Sequence, residues 1–355
     1  MTSQLRLAPR AAGPDRTWEP FELEVGMPHM APGKLSEVEL LKLLGAWQWD
    51  AIARALGRPA AQITSEAGER LYASFVALEL WLPPAAGQDA FGEGDRVAGV
   101  NSIAFFANRF VEGLAVFGRG GAAAEAAARV AGRDQLNGLG LAAACLTNAF
   151  VARQGSNSRL KVLEPAGIAA RSPARLDATP AGIAQHQQAQ ATGSIGGFGD
   201  APGTPLVARR GEPILYTILP ESDLNGAGLL YFPRYVAIMN YGERLLLSDR
   251  LERPLSSPLV ACLSTERRRL FYFANAEPWD RVRVAISASL LPADAASPAP
   301  ERVTPWRLSF RIDLYRESDK VLMASSLVRK ALNVPPAEAG LLKEAERLRA
   351  TLGPV

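Results

Sequence analysis

The sequence predicts an α+β protein built as two tandem domains, each a long helix wrapped by an antiparallel sheet. Three observations carry this. The chain has 355 residues, more than one hydrophobic core ordinarily organises, so two domains are expected. Each half contains one long helical segment together with several strand-like segments rich in branched and aromatic residues. Between the halves lies a stretch with almost no apolar periodicity.

In the first half, residues 35–57 place Leu40, Leu41, Leu44, Trp47, Ile52 and Leu56 at helical spacing. Ser36 and Glu39 stand in the S-x-x-E order of a capping box, and Gly57 and Pro59 close the helix. Residues 71–82, 96–106, 110–117 and 139–151 read as strands separated by Gly, Asp and Asn turns. An Ala-rich run over 120–133 adds a helical excursion between the last two. Residues 166–210, dominated by Ala, Gly, Pro, Gln and Ser, read as the connection between domains.

The second half repeats the outline. Residues 214–219 read as a strand, 229–247 as a helix, and 259–264, 269–274, 281–291, 306–315 and 322–328 as strands. A last segment, 337–352, carries Leu341, Leu342, Ala345, Leu348 and Leu352 on one face and reads as a packing helix. The expected division is 20–165 for the first domain, 166–210 for the connection, 211–335 for the second domain and 336–355 for the terminal helix. Strand 71–82 is apolar on both faces, as expected of a strand covered on both sides. A helix wrapped by a sheet, made twice, is the double hot-dog arrangement, and other two-layer α+β folds share the same pattern.

Composition narrows the function. Hydrophobic residues make up 48% and charged residues 21%, as in ordinary globular chains. A net charge of +3 without a basic block excludes the electrostatic footprint of a nucleic-acid binder. Cys145, Cys262, His29 and His186 are the whole inventory of cysteine and histidine, too sparse for a disulfide framework or a zinc site. No apolar run is long enough to span a bilayer, and the amino terminus lacks the apolar core of a signal peptide, so a cytoplasmic protein without membrane partners is expected.

The segment Asp223-Leu-Asn-Gly-Ala-Gly-Leu-Leu-Tyr-Phe-Pro-Arg-Tyr235 resembles the entry into the central helix of acyl-CoA thioesterase-type hot-dog domains. Physically, its glycines let backbone N–H groups approach a carbonyl oxygen where the helix dipole favours negative charge. In the thioesterase pattern a carboxylate commonly lies three residues before the glycine matched by Gly228, which puts Asn225 in the acid's place. An amide cannot act as base or nucleophile, but it donates a hydrogen bond to an oxyanion. Asp223, two residues earlier, is the alternative acid and keeps a thioesterase as the competing reading.

A second resemblance is colinear over both halves. Gly26-Met27, Gly45-Ala-Trp-Gln-Trp-Asp50, Gly68-Glu-Arg-Leu-Tyr-Ala-Ser-Phe75, Thr147-Asn148 and Asn225-Gly-Ala-Gly-Leu-Leu-Tyr-Phe232 are similar to the leinamycin-type bifunctional acyltransferase/decarboxylase family of polyketide biosynthesis. That resemblance implies a double hot-dog with a CoA thioester as substrate and no tightly bound cofactor. It implies methylmalonyl-CoA or a similar acyl-CoA as donor, decarboxylation, and an acyl carrier protein as acceptor. It also implies that the tyrosine assigned there as acyl acceptor falls on Tyr72.

Each candidate has a second reading. Tyr72 is either the acyl acceptor, or a residue that orients substrate, or a core tyrosine; strand alternation puts it on the face of Ser74, Val76 and Leu78. Asn225, Gly226 and Gly228 are either donors to a thioester oxygen or a plain turn that starts a helix. His29, placed before the first helix as Asn225 is before the second, is either a donor in a first-half site or a loop-stabilising residue. Asn148 either lines the cleft or ends a strand. Glu266-Arg-Arg-Arg269 reads as a solvated strand edge, with CoA phosphates or an acidic carrier protein as the alternative partner, and Tyr272, Phe273, Asn275 and Trp279 read as core. A non-catalytic module that binds a carrier protein is the remaining alternative.

Overall fold

Ser36 starts the first long helix by accepting the Glu39 N–H on its hydroxyl, and Leu40, Leu41, Leu44 and Ile52 of that helix are buried against a sheet. The computed structural model describes residues 16–171, 173–206, 213–292 and 303–352. The Arg- and Pro-containing amino terminus before residue 16 and the end of the expected connection, 207–210, lie outside them.

In chain order the first half contains β1 (Glu19–Glu24), the small hairpin β2 (Met30–Ala31) and β3 (Lys34–Leu35), α1 (Glu37–Ala55), β4 (Tyr72–Trp81) and β5 (Arg96–Phe106). It continues with β6 (Phe110–Arg119), α2 (Ala122–Ala127), β7 (Ala142–Gln154) and β8 (Ser156–Val162). The connection carries α3 (Ala181–Thr192) and β9 (Thr204–Leu206). The second half contains β10 (Ile214–Thr217), α4 (Pro220–Asp223), α5 (Phe232–Leu251), α6 (Ser257–Cys262), β11 (Leu263–Tyr272), β12 (Arg281–Leu291), β13 (Val303–Arg316), β14 (Leu322–Val334) and α7 (Ala339–Leu352).

The strands join into one twelve-stranded sheet of order β1-β5-β6-β7-β4-β11-β14-β13-β12-β10, with β8 added on β7 and β9 on β12. All these pairings are antiparallel. The halves meet where β4 pairs with β11, and α1 and α5 lie against each other on one face. On the opposite face α3 packs on β4, β7 and β11, so the connection becomes a cover for the seam. Burial on both faces accounts for the apolar character of β4. No helix among the described residues is long and apolar enough to cross a membrane.

Two expectations are corrected. Residues 259–264 and 269–274, expected as separate strands, form α6 followed by a single strand, β11. Ser256 caps α6 and Pro258 sits in its first turn, which is start chemistry that a strand reading overlooks. Glu266-Arg-Arg-Arg269 is likewise no edge: β11 is flanked by β4 and β14, and every member of the run is paired. Arg267 and Arg269 bond Glu79 at 2.8 and 3.1 Å on one face, while Glu266 accepts from Arg307 at 2.9 Å. The charges of the run are thus matched by partners inside the molecule.

Arg268 points to the other face and is 0% exposed. Its Nε donates to Glu37 Oε1 at 2.6 Å and its Nη2 to Asn240 Oδ1 at 3.1 Å, joining α1, β11 and α5. Glu243, ion-paired with Arg268 and Lys330, completes a buried set of two cations and two carboxylates. Burial alone pushes the Glu37 carboxyl up, but Arg268 and Lys330 overcome it and bring it down to about 2.

Removing one member leaves an uncompensated buried charge. Glu37→Ala is expected to lose about 3–5 kcal/mol of unfolding free energy in urea titrations, and the double variant Glu37→Leu with Arg268→Met to lose less than Glu37→Ala alone. Because the folded value lies below the ordinary 4.5, the Glu37 contribution is complete above pH 4.5 and is lost as pH falls toward 2. The difference in stability between wild type and Glu37→Ala should therefore shrink over that window.

Candidate active site

β4 pairs with β11 only from Ala77 to Trp81, and its register against β7 shifts between Phe75 and Ala77. Residues 72–75 therefore have a free edge where the halves separate. A cavity of about 530 Å³ opens there, walled by α1, the start of β4, the turn before α5 and Asn275. The bulge also corrects the expected phase. Ala73 packs on the cluster that contains Ile52, and Phe75 stacks on Phe232. The extra residue at the bulge puts Leu78 on the face of Phe75 rather than that of Tyr72 and Ser74, which meet the cavity at the unpaired edge of β4.

Tyr72, Asn148, Asn225 and Gly226 all line this one cavity, although Tyr72 and Asn225 come from different halves. Tyr72 is half-buried, and its hydroxyl has no partner among the described residues. The Arg70 guanidinium lies 5.5 Å from the centroid of its ring. Arg70, which also lines the cavity, makes no ion pair among the described residues. Tyr231 contributes a phenol that burial, and then Glu39, push above its ordinary value.

Asn225 builds the turn that bears it. Its Oδ1 accepts from the N–H groups of Ala227 at 2.9 Å and Leu229 at 3.2 Å, and its backbone N–H donates to Leu229 O at 2.8 Å. With the oxygen so occupied, the carboxamide orientation is settled and Nδ2 is left without a partner among the described residues. Gly228 takes the left-handed φ of +74° that closes this turn, and its N–H is used by Asn225 O at 2.8 Å. Arg153 and Asn157 hold the turn from outside, through Ala227 O at 3.0 Å and Gly228 O at 2.6 Å.

Asp223 is elsewhere. It is 0% exposed and outside the cavity wall, and its carboxylate accepts from Arg234 Nε at 2.8 Å, the Leu219 N–H at 2.8 Å and the Tyr216 hydroxyl at 3.2 Å. It clamps α4 to the start of α5. His29 is also outside the cavity: its Nδ1 accepts the Gly26 N–H at 3.0 Å and stabilises the loop before α1. Asn148 lines the cavity, but its carboxamide is taken up by Gln48 Nε2 and by Ala73 O at 3.0 Å.

Three contributors escape sequence reasoning. Arg70 is separated from Tyr72 by one residue, a proximity that was available in the sequence but carried no partner signal. Gly45 permits Phe232 to lie over α1: a methyl group there would meet Phe232 Cε1 at 2.6 Å. Asn275, expected in the core, is 8% exposed and lines the cavity, whereas Trp279, also expected in the core, is 63% exposed with φ of +69°. Among the described residues, the cavity wall contains no Asp, Glu, His or Cys. The arrangement can donate hydrogen bonds to a carbonyl or carboxylate oxygen, and it lacks an evident base for activating water.

No family model matches the chain, and no curated protein matches it in sequence. In three dimensions it is similar to a putative oleoyl thioesterase from Lactobacillus plantarum, at 10% identity and a TM-score of 0.53, over 90% of this chain and 98% of that one. It is also similar to the 12:0-ACP thioesterase from Umbellularia californica, at 10% identity and a TM-score of 0.52, over 88% of this chain and 93% of that one. At such identities the likeness concerns the fold. With two long helices side by side on one antiparallel sheet formed by both halves, the chain is a double hot-dog.

Proposed function

We propose that the protein processes acyl thioesters in the cavity shared by Tyr72 and Asn225, and that its reaction is acyl transfer from a malonyl-type acyl-CoA to an acyl carrier protein, with decarboxylation. One observation carries this reading. The cavity offers neutral amide donors and a cation, with Asn225 Nδ2 free and no carboxylate in the wall among the described residues.

Loss of CO2 from a malonyl-type thioester breaks the bond to the carboxylate carbon and moves its electron pair into the thioester, whose oxygen gains negative charge as an enolate. Donors on that oxygen lower the barrier in a site sheltered from water. Protonation at the α-carbon then leaves a simple acyl thioester. Tyr72, which lines the cavity with its hydroxyl unpartnered among the described residues, either orients the acyl group or accepts it. In the second case its oxygen bonds the thioester carbon as the C–S bond breaks, and CoA leaves as the thiol with the phenolic proton. The carrier thiol next displaces the tyrosine oxygen, which regains a proton. Arg70 is the cation suited to the substrate carboxylate.

A second reading, hydrolysis, is favoured by the similarity of the fold to proteins described as thioesterases. It requires a route to activated water that bypasses Asp223, whose carboxylate is committed to Arg234, Leu219 and Tyr216.

Incubation with methylmalonyl-CoA and a carrier protein, followed by intact mass, is expected to show a decarboxylated acyl group on the carrier. Thiol release matching thioester loss, with the carrier unmodified, would select hydrolysis instead. Tyr72→Phe is expected to abolish transfer while leaving thioester binding within a few-fold, and full transfer by this variant would exclude acylation of Tyr72. Asn225→Asp keeps the two accepted backbone bonds and introduces a carboxylate, so free-thiol release from acyl-CoA is expected to rise as transfer falls. Arg70→Ala is expected to weaken methylmalonyl-CoA about tenfold or more relative to propionyl-CoA, read from KM or calorimetry.

A further inference from the structure

Asn275 stands in the cavity wall and is 8% exposed as a residue. Its Oδ1 accepts from the N–H groups of Leu230 at 2.8 Å and Ala276 at 2.9 Å, and its backbone oxygen is held by Arg316 Nη1 at 2.9 Å. Two N–H donors on the oxygen identify it, and the opposite end of the carboxamide, Nδ2, has no partner among the described residues. Asn225 has the same construction. The anchors are consecutive, since Leu229 N–H binds Asn225 Oδ1 and Leu230 N–H binds Asn275 Oδ1. Two carboxamides are thus fixed by one stretch of backbone, and both residues line the same cavity with their donors unspent among the described residues.

An unspent amide donor in the wall of a cavity is available to an acceptor arriving from outside. The acceptor chemistry follows from the surroundings. Asn275 also lines a smaller cavity of about 80 Å³, and five residues, Ser74, Phe75, Leu230, Phe232 and Asn275, are common to both. Asn275 therefore stands where the two cavities adjoin, so that a carbonyl group bound beside it has room on either side.

We propose that Asn275 is a catalytic residue that acts with Asn225 as a two-donor oxyanion site, the two Nδ2 groups holding the thioester carbonyl oxygen as it becomes negative. This rests on the thioester reading above and adds a residue to it. Neutral amide donors fixed before the reaction need no reorganisation as charge develops, and they carry no charge that would repel a substrate carboxylate or compete with Arg70 for it. The same pair serves an enolate oxygen or a tetrahedral one.

Asn275→Asp is isosteric, keeps both accepted backbone bonds and replaces only the donor with an acceptor. At pH 8, with the fold checked by circular dichroism and thermal midpoint, it is expected to lower kcat for methylmalonyl-CoA by about 10²–10³-fold with KM changed only a few-fold. In parallel, the infrared carbonyl band of propionyl-CoA labelled with ¹³C at the thioester carbon is expected to shift to lower wavenumber on binding the wild type, and to shift less on binding the variant. Asn275→Ser, which keeps an acceptor for one N–H, provides a second variant and should behave alike. If wild type turns over or binds the thioester and the variants retain both kcat and band shift, the two-donor site is wrong while the thioester reading stands. If wild type binds no CoA thioester by calorimetry, both fall together.

Discussion

Arg268 and Glu37 are 231 residues apart, and their pairing is the contact around which the two halves are organised. Arg268 lies on the strand that joins the sheets, and Glu37 lies in the first turn of α1, where a carboxylate also suits the helix dipole. Neither charge is tolerable alone at such burial. Asn240 and Glu243 bring α5 to the same point, so one buried network sets α1 against α5. With the helices side by side, β4 and β11 are in place to pair, and the seam between the halves becomes the middle of a continuous sheet.

The site follows from where that seam stops. Pairing between β4 and β11 runs only as far as Ala77, and the bulge next to it leaves the start of β4 with an unpaired edge, where Tyr72, Ala73, Ser74 and Phe75 line the cavity. The second half supplies the opposite wall. Asp223 secures α4, Asn225 folds its turn around its own side chain, and Asn157 ties that turn to Ala276 next to Asn275. The cavity is thus assembled from the same two halves that the ion network joins, and neither half contains it alone.

Much of the fold was legible before any tertiary information. α1 showed its cap, its apolar stripe and its closing glycine, and α7 its buried face. The reading failed where a local pattern has two physical solutions. Residues 259–264 are apolar and short, so periodicity could not separate a capped helical turn from a strand. The arginine run read as an edge because charge ordinarily marks solvent, and only the carboxylates of Glu37 and Glu79, distant in sequence, make its burial possible. Of the site, the Asn225 turn was visible because its hydrogen bonds are local. Tyr72 came from resemblance, and its phase was misjudged because nothing in the strand's composition announces a bulge.

By itself the sequence determined the two long helices and the terminal one, most of the strands, their repeated order and a turn in which Asn225 stands where an acid is expected, all properties of short windows governed by periodicity and turn chemistry. Tertiary structure alone decided which polar groups are spent and which remain available. Asp223 and His29 look as reactive in sequence as Asn225, yet their partners take up the Asp223 carboxylate and His29 Nδ1, while Asn225 and Asn275 keep a free donor each because backbone N–H groups of Leu229 and Leu230 occupy their oxygens. Availability depends on every neighbour a group meets after folding, and for Asn275 one of those neighbours, Leu230, lies 45 residues away.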